Sequence, residues 1–199
     1  MAASDSQQQK MKAKRQRILD EAIELFSEHG YNDTTIAKVA KASGISFGSV
    51  FTYFSTKEEL FHCAVIEPLG QITDVMMNFD PEAEDPLAEL ERIVKTHIKL
   101  FAKLSTYLSL VVQVIGHDSR FSEQFEELNR FHDAFCLKLS KLIENGQVKG
   151  QLIQTDSMYA AYSYMSLLLG LRLMRTDNFD HEIWEQFVPF ALNLFGPAR

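Results

Sequence analysis

Apolar residues recur every three or four positions along most of the chain, the spacing that gathers them on one face of an α-helix. No Asn-Gly or Asp-Gly pair lies between alternating apolar and polar runs, so no hairpin is signalled. The pattern predicts an all-α fold of about nine helices. A first helix is expected from about Lys12 to His29, with Ile18, Ala22, Leu25 and Phe26 sharing a face and Gly30 as its stop. Asp33, Thr34 and Thr35 are cap candidates for a second helix, whose apolar positions Ile36, Val39 and Ala40 end at Ser43-Gly44. Ser46 caps a third through about Phe54, and Ser55 or Thr56 caps a fourth that runs from Lys57 to roughly Asn78. After the proline- and acid-rich segment Asp80 to Pro86, helices are expected near 87–104, 106–116, 119–148, 156–175 and 181–195. Breakers at Ser105-Thr106, Gly116 to Asp118, Gly146 to Gly150 and Asp177-Asn178 separate them.

Composition adds bounds rather than detail. With 46% hydrophobic and 24% charged residues over 199 positions, the chain has the make-up of a globular protein with room for a small module and a larger one. The start carries no apolar stretch like a signal peptide, and no segment nears the roughly 18 apolar residues of a membrane span, so a cytoplasmic protein with no membrane partner is expected. Cys63 and Cys136 lie far apart with no metal-ligand spacing, which predicts buried thiols and neither a disulfide nor a zinc site. Charge is more informative by position than in sum. The net charge of −7 falls entirely on residues 63–199, whereas residues 1–62 balance eight basic against eight acidic side chains. Lys10, Lys12, Lys14, Arg15 and Arg17 form a run free of acids, suited either to nucleic-acid phosphates or to a solvated tail.

Residues 34–57 carry the sharpest signal. Two short helices are joined by Ala42-Ser43-Gly44-Ile45, where Gly44 allows the left-handed backbone of a tight turn. Ile36, Ala40, Ile45, Val50 and Phe54 are placed to pack beneath against the first helix. The other face of the third helix then presents Phe47, Gly48, Ser49, Thr52 and Tyr53. These are a small residue for close backbone approach, three hydroxyls, and an aromatic suited to a thymine methyl, all features of a major-groove reader.

The run Thr34-Thr35-Ile36-Ala37-Lys38-Val39-Ala40-Lys41-Ala42-Ser43-Gly44-Ile45-Ser46-Phe47-Gly48-Ser49-Val50-Phe51-Thr52-Tyr53-Phe54, with Ser55 to Leu60 after it and Ala22 to Tyr31 before it, resembles the DNA-binding module of the tetracycline-repressor (TetR) family. The resemblance covers about residues 12–60; downstream only Leu142 to Leu152 looks familiar. It implies a basic tail (1–11), a three-helix DNA-binding domain (12–60) and a helical ligand-binding and dimerisation domain (61–199). It implies a recognition helix from Ser46 to Phe54 and phosphate contacts from Thr35, Ser46 and Lys57. At position 47 the family commonly has a basic residue or proline, and at 51 a tyrosine. Phe51 cannot donate to a phosphate, so it is expected to pack sideways or against a sugar.

A lone helix-turn-helix contacts few base pairs, which calls for a homodimer on a palindromic operator. The last two helices are broadly apolar; the resemblance implies that they form a four-helix interface with their mates, with Met165, Leu169, Leu173, Trp184, Phe187, Phe190 and Leu194 as candidates, and intrachain core is the alternative. Phe101, Tyr107, Phe121, Phe125, Phe131, Phe135, Tyr159 and Tyr162 are candidates to line an apolar effector pocket, although packing alone would bury most of them. His97, His117 and His132 match no metal site, no cofactor is expected, and nothing near Cys136 marks a reactive thiol. The resemblance implies a repressor that a small, largely apolar molecule releases from DNA by shifting the fourth helix and changing the separation of the two recognition helices. A DNA-bound adaptor with a protein partner is the alternative, and no nucleophile–base set, phosphate-cradling loop or metal spacing suggests an enzyme.

Overall fold

The computed structural model of the chain describes residues 2–174 and 181–196; the breaker expected at Asp177-Asn178 lies outside them. Among the described residues there are ten helices and no strand: α1 (Ala2–Asp33), α2 (Ile36–Ala42), α3 (Phe47–Val50), α4 (Lys57–Met76), α5 (Pro86–Phe101), α6 (Ser105–Gly116), α7 (Ser122–Val148), α8 (Ser157–Leu173), α9 (His181–Glu185) and α10 (Val188–Leu192). No single described helix is long and apolar enough to cross a membrane.

The chain forms two compact units. Residues 1–69 together with 106–125 make the N-terminal one, and 70–105 with 126–199 make the other. The division differs from a single cut after residue 60, because the end of α5 hands the chain back to the first unit for α6 and the start of α7.

In the N-terminal unit, α1 starts well before Lys12 and breaks at Gly30, whose φ of 77° and ψ of 170° no helix can hold, before one last turn to Asp33. Ile18, Leu19, Ala22 and Phe26 are buried, and the core continues through Val39, Val50, Phe54, Leu60 and Phe61. The buried Thr34 hydroxyl donates to the Leu25 carbonyl at 2.9 Å, leaving Thr35 as the cap of α2. From the C-terminal half of the chain, Gln113 Nε2 donates to the Phe26 carbonyl (2.9 Å) and the Tyr107 hydroxyl to the Val65 carbonyl (2.9 Å). The latter contact falls one turn from Pro68, which has no N–H to complete the α4 ladder. Phe121 joins Phe26, Tyr31 and Phe61 in an aromatic cluster, with centroids 4.7 Å apart to Phe61 and 5.4 Å to Tyr31.

The C-terminal unit is built around α5. Asp85 caps it by accepting from the Ala88 N–H (3.1 Å), Pro86 occupies a first-turn position where no N–H is needed, and Leu90, Ile93, Val94, His97, Ile98 and Phe101 form its buried face. It packs on α8, α9 and α10. The single terminal helix expected over 181–195 is two short ones, since Gln186 and Phe187 close three-residue turns and Pro189 stands in the first turn of the next helix, which begins at Val188. Helix α7 runs through Gly146 and stops before Gly150, which has a φ of 68°. Buried at the centre, His97 Nδ1 lies 3.1 Å from the Tyr164 hydroxyl.

Candidate nucleic-acid interface

The turn between α2 and α3 is set by local chemistry. Thr35 accepts from the Lys38 N–H (3.2 Å) and Ser46 from the Ser49 N–H (3.3 Å), so each short helix has a side-chain cap for an otherwise unfilled donor. Gly44 adopts a φ of 65°, and its N–H donates to the Lys41 carbonyl. The buried Ser43 hydroxyl closes the turn on the Val39 carbonyl at 2.6 Å. Helix α3 is shorter than Ser46 to Phe54: its α-helical part ends at Val50, and Thr52 and Tyr53 follow in tight i→i+3 turns. Val50 and Phe54 are fully buried and anchor it from below.

Above them the outward face is open. Phe47 (55%) and Phe51 (43%) are exposed together with Gly48, Ser49 and Thr52, while Tyr53 is half-buried. Phe51 does pack sideways, edge-on to Phe47 with centroids 5.2 Å apart. A Cβ added at Gly48 would meet nothing within 4 Å, so the chain's own packing does not call for glycine there.

The basic run of α1 divides in the structure. Arg15 turns inward, donating to Glu67 (Nη1–Oε2 2.9 Å) and lying 4.8 Å over the Phe54 ring. That hydrogen bond holds the Glu67 carboxyl below the usual carboxylate range, and burial pushes the neighbouring Cys63 thiol up to about 11. Lys14 and Arg17 are exposed and, with Gly44, Ile45, Ser46, Ser49, Thr52 and Tyr53, line a cleft of about 470 Å³. Sequence alone marked five cations without distinguishing them; helical spacing puts Lys14 and Arg17 on one side of α1, three residues apart, and that was the available signal.

Lys57 begins α4. Thr56 caps that helix by accepting from the Glu59 N–H (3.0 Å), and Glu59 reaches back to the Ser55 N–H (2.6 Å), a near-reciprocal cap. The Lys57 ammonium donates to the Asn32 carbonyl (3.2 Å) and lies 4.3 Å over the Tyr31 ring; partial burial lowers its pKa. The Tyr31 hydroxyl donates to Glu58 (2.8 Å), and burial together with that bond pushes the phenol up to about 12.

The residues put forward for an effector pocket are divided between the two units. Tyr107, Phe121 and Phe125 belong to the N-terminal unit, where Tyr107 is tied to α4 and Phe121 to the aromatic cluster. Phe101 and Phe135 are buried in the C-terminal unit, with Phe131 stacked on Phe135. Tyr159 (70%) and Tyr162 (37%) are exposed, because α8 turns Ala161, Tyr164, Met165 and Leu168 to the core and these two away from it. His97 was set beside these residues as an isolated histidine, and it joins Tyr164 as a buried polar pair that burial keeps neutral, its pKa pushed down to about 4. Two candidates for the dimer interface, Met165 and Trp184, are core residues of the C-terminal unit. Leu173 and Phe190 are exposed, and Leu169, Phe187 and Leu194 are half-buried. Among the described residues no three His, Cys, Asp or Glu side chains cluster as a metal site.

Two short helices, each with a side-chain cap, joined through a left-handed glycine and anchored by buried Val50 and Phe54 beneath an outward face, form a helix-turn-helix of the DNA-binding kind. Residues 18–64 match the profile of bacterial regulatory proteins of the tetR family. Over longer spans the chain is similar to the HTH-type transcriptional repressor AcnR of Corynebacterium diphtheriae, with 28% identity over 84% of this chain and 86% of that one. It is also similar to the fatty acid metabolism regulator protein of Bacillus subtilis, with 26% identity over 71% and 74% respectively. A solved tetR-family regulatory protein from Rhodococcus has the same fold, with a TM-score of 0.75, 22% identity, and coverage of 94% of this chain and 98% of that one. Residues 18–64 are thus similar to the DNA-binding module of tetR-family regulators, and over most of its length the chain is similar to HTH-type transcriptional regulators.

Proposed function

We propose that the protein is a homodimeric, sequence-specific repressor acting in the cytoplasm, which binds a palindromic operator and is released by a small, largely apolar molecule taken up by the C-terminal unit. The observation that carries the DNA-binding part is the exposed face of α3 beside the cleft lined by Lys14 and Arg17. Thr52, Tyr53 and Ser49 are assigned to base edges, with Phe47 against a thymine methyl and Gly48 allowing close approach. Thr35, Ser46, Lys57 and the cleft cations are assigned to phosphates, and Phe51 braces Phe47 beside the sugars. The exposed row Tyr159, Tyr162 and Leu173 on α8, with Phe190 on α10, is the proposed dimer surface. The aromatic interior of the C-terminal unit around Phe101, Phe131 and Phe135 favours an apolar effector.

The test is a pair of titrations, against a duplex selected from a random pool and against unselected DNA. Thr52→Ala and Tyr53→Ala are expected to cut discrimination between the two by about 1–3 kcal/mol each. Lys57→Ala should weaken binding to both alike and lower the salt slope by about 0.9. Full binding and discrimination in all three variants would overturn the assignment. For the effector, a released complex must show reciprocity: operator has to weaken effector binding by the same factor.

A further inference from the structure

The ring of Tyr31 carries two cations. Lys57 Nζ lies 4.3 Å from its centroid and the Arg120 guanidinium carbon 4.6 Å, so the two charges are no more than about 9 Å apart. Arg120 belongs to the α6–α7 turn, far from the helix-turn-helix in sequence but within the same compact unit. Its side chain is exposed and also lies 5.4 Å from the Phe121 ring, and no ion pair among the described residues engages it. Two acids lie near: Glu58, held by the Tyr31 hydroxyl at 2.8 Å, and Asp33, whose charge also acts on Lys57.

Two like charges so close repel each other, and an anion shared between them turns that repulsion into attraction. The pairing suits a phosphate in particular: a guanidinium offers a planar fork of donors and an ammonium a compact point charge. Resting both on one aromatic ring restricts their rotamers before any ligand arrives, so less side-chain entropy is lost on binding. We propose that Lys57 and Arg120 form a two-cation site for one stretch of DNA backbone phosphate, with Tyr31 as its platform. The site rests on the reading that the N-terminal unit binds DNA through α3. It makes the α6–α7 turn part of the DNA-binding surface, adding affinity without base preference.

The experiment measures the salt dependence of binding of the full-length protein to unselected duplex DNA. Arg120→Ala and Arg120→Gln are each expected to lower the slope of log K against log salt by about 0.9, Arg120→Lys to keep it, and Arg120→Ala with Lys57→Ala to lose about twice as much. A weaker affinity with unchanged slope in Arg120→Ala and Arg120→Gln would make Arg120 merely structural and overturn the site. If Lys57→Ala lowers the slope while the Arg120 variants do not, the site fails and the DNA-binding reading stands. If neither does, and Thr52→Ala also discriminates normally, both fall together.

Discussion

Gly48 is a position where the demands of the fold can be separated from those of the proposed DNA contact. Gly44 answers to the chain itself: it holds a left-handed turn, and a Cβ on it would come 3.4 Å from Arg17. At Gly48 a methyl group meets open space. Gly48→Ala is therefore expected to leave thermal stability intact or raise it by up to about 1 kcal/mol, through helix propensity, while weakening binding to selected DNA. A titration beside a melting curve separates the two effects. His97 gives the opposite kind of residue, one that serves the core. Burial holds its pKa near 4, below the ordinary histidine value, so the unfolded chain binds the extra proton between those limits. Its contribution is complete above about pH 6.5 and is lost as the pH falls toward 4. In urea unfolding, the stability gap between the wild type and His97→Gln should narrow by about 3 kcal/mol from pH 7 to pH 4.

At the scale of the element, legibility followed the range of the interactions. Caps, left-handed glycines and apolar faces depend on residues within a few positions of one another, and so Thr35, Ser46, Gly30 and Gly44 were readable from the sequence. The break between α9 and α10 was missed although Pro189 was in view, because the apolar spacing continues across it. Contacts between distant segments leave no periodic trace: Arg15 with Glu67, Tyr107 with Val65, and Arg120 with Tyr31 come from topology. Gly146 shows how such contacts can be hidden in an ordinary helix. A Cβ there would fall 2.4 Å from Leu152 Cδ1 and 2.6 Å from its Cγ, and Leu152 is buried. Gly146→Ala should cost about 1–3 kcal/mol in chemical denaturation despite the better helix propensity of alanine.

For the molecule as a whole, the chain forms two compact units, each built from two separate segments, and the pattern of helices says nothing about which helix returns to which core. The proposed dimer is tested on the residues that remain exposed. Leu173→Asp with Phe190→Asp should yield a folded monomer in sedimentation, with operator affinity reduced because two half-sites are no longer engaged together. A dimer that persisted would place the interface elsewhere. The return of residues 106–125 to the first unit also bears on how the protein is made and how it can be recombined. A ribosome that has released the first 69 residues has released a DNA reader still lacking the Gln113 and Tyr107 anchors and the Phe121 ring. Compaction of that unit waits until about residue 125 has emerged, after much of the other unit's first segment. A chimera that grafts this reader onto another regulator would for the same reason have to carry two separate pieces of gene, not one.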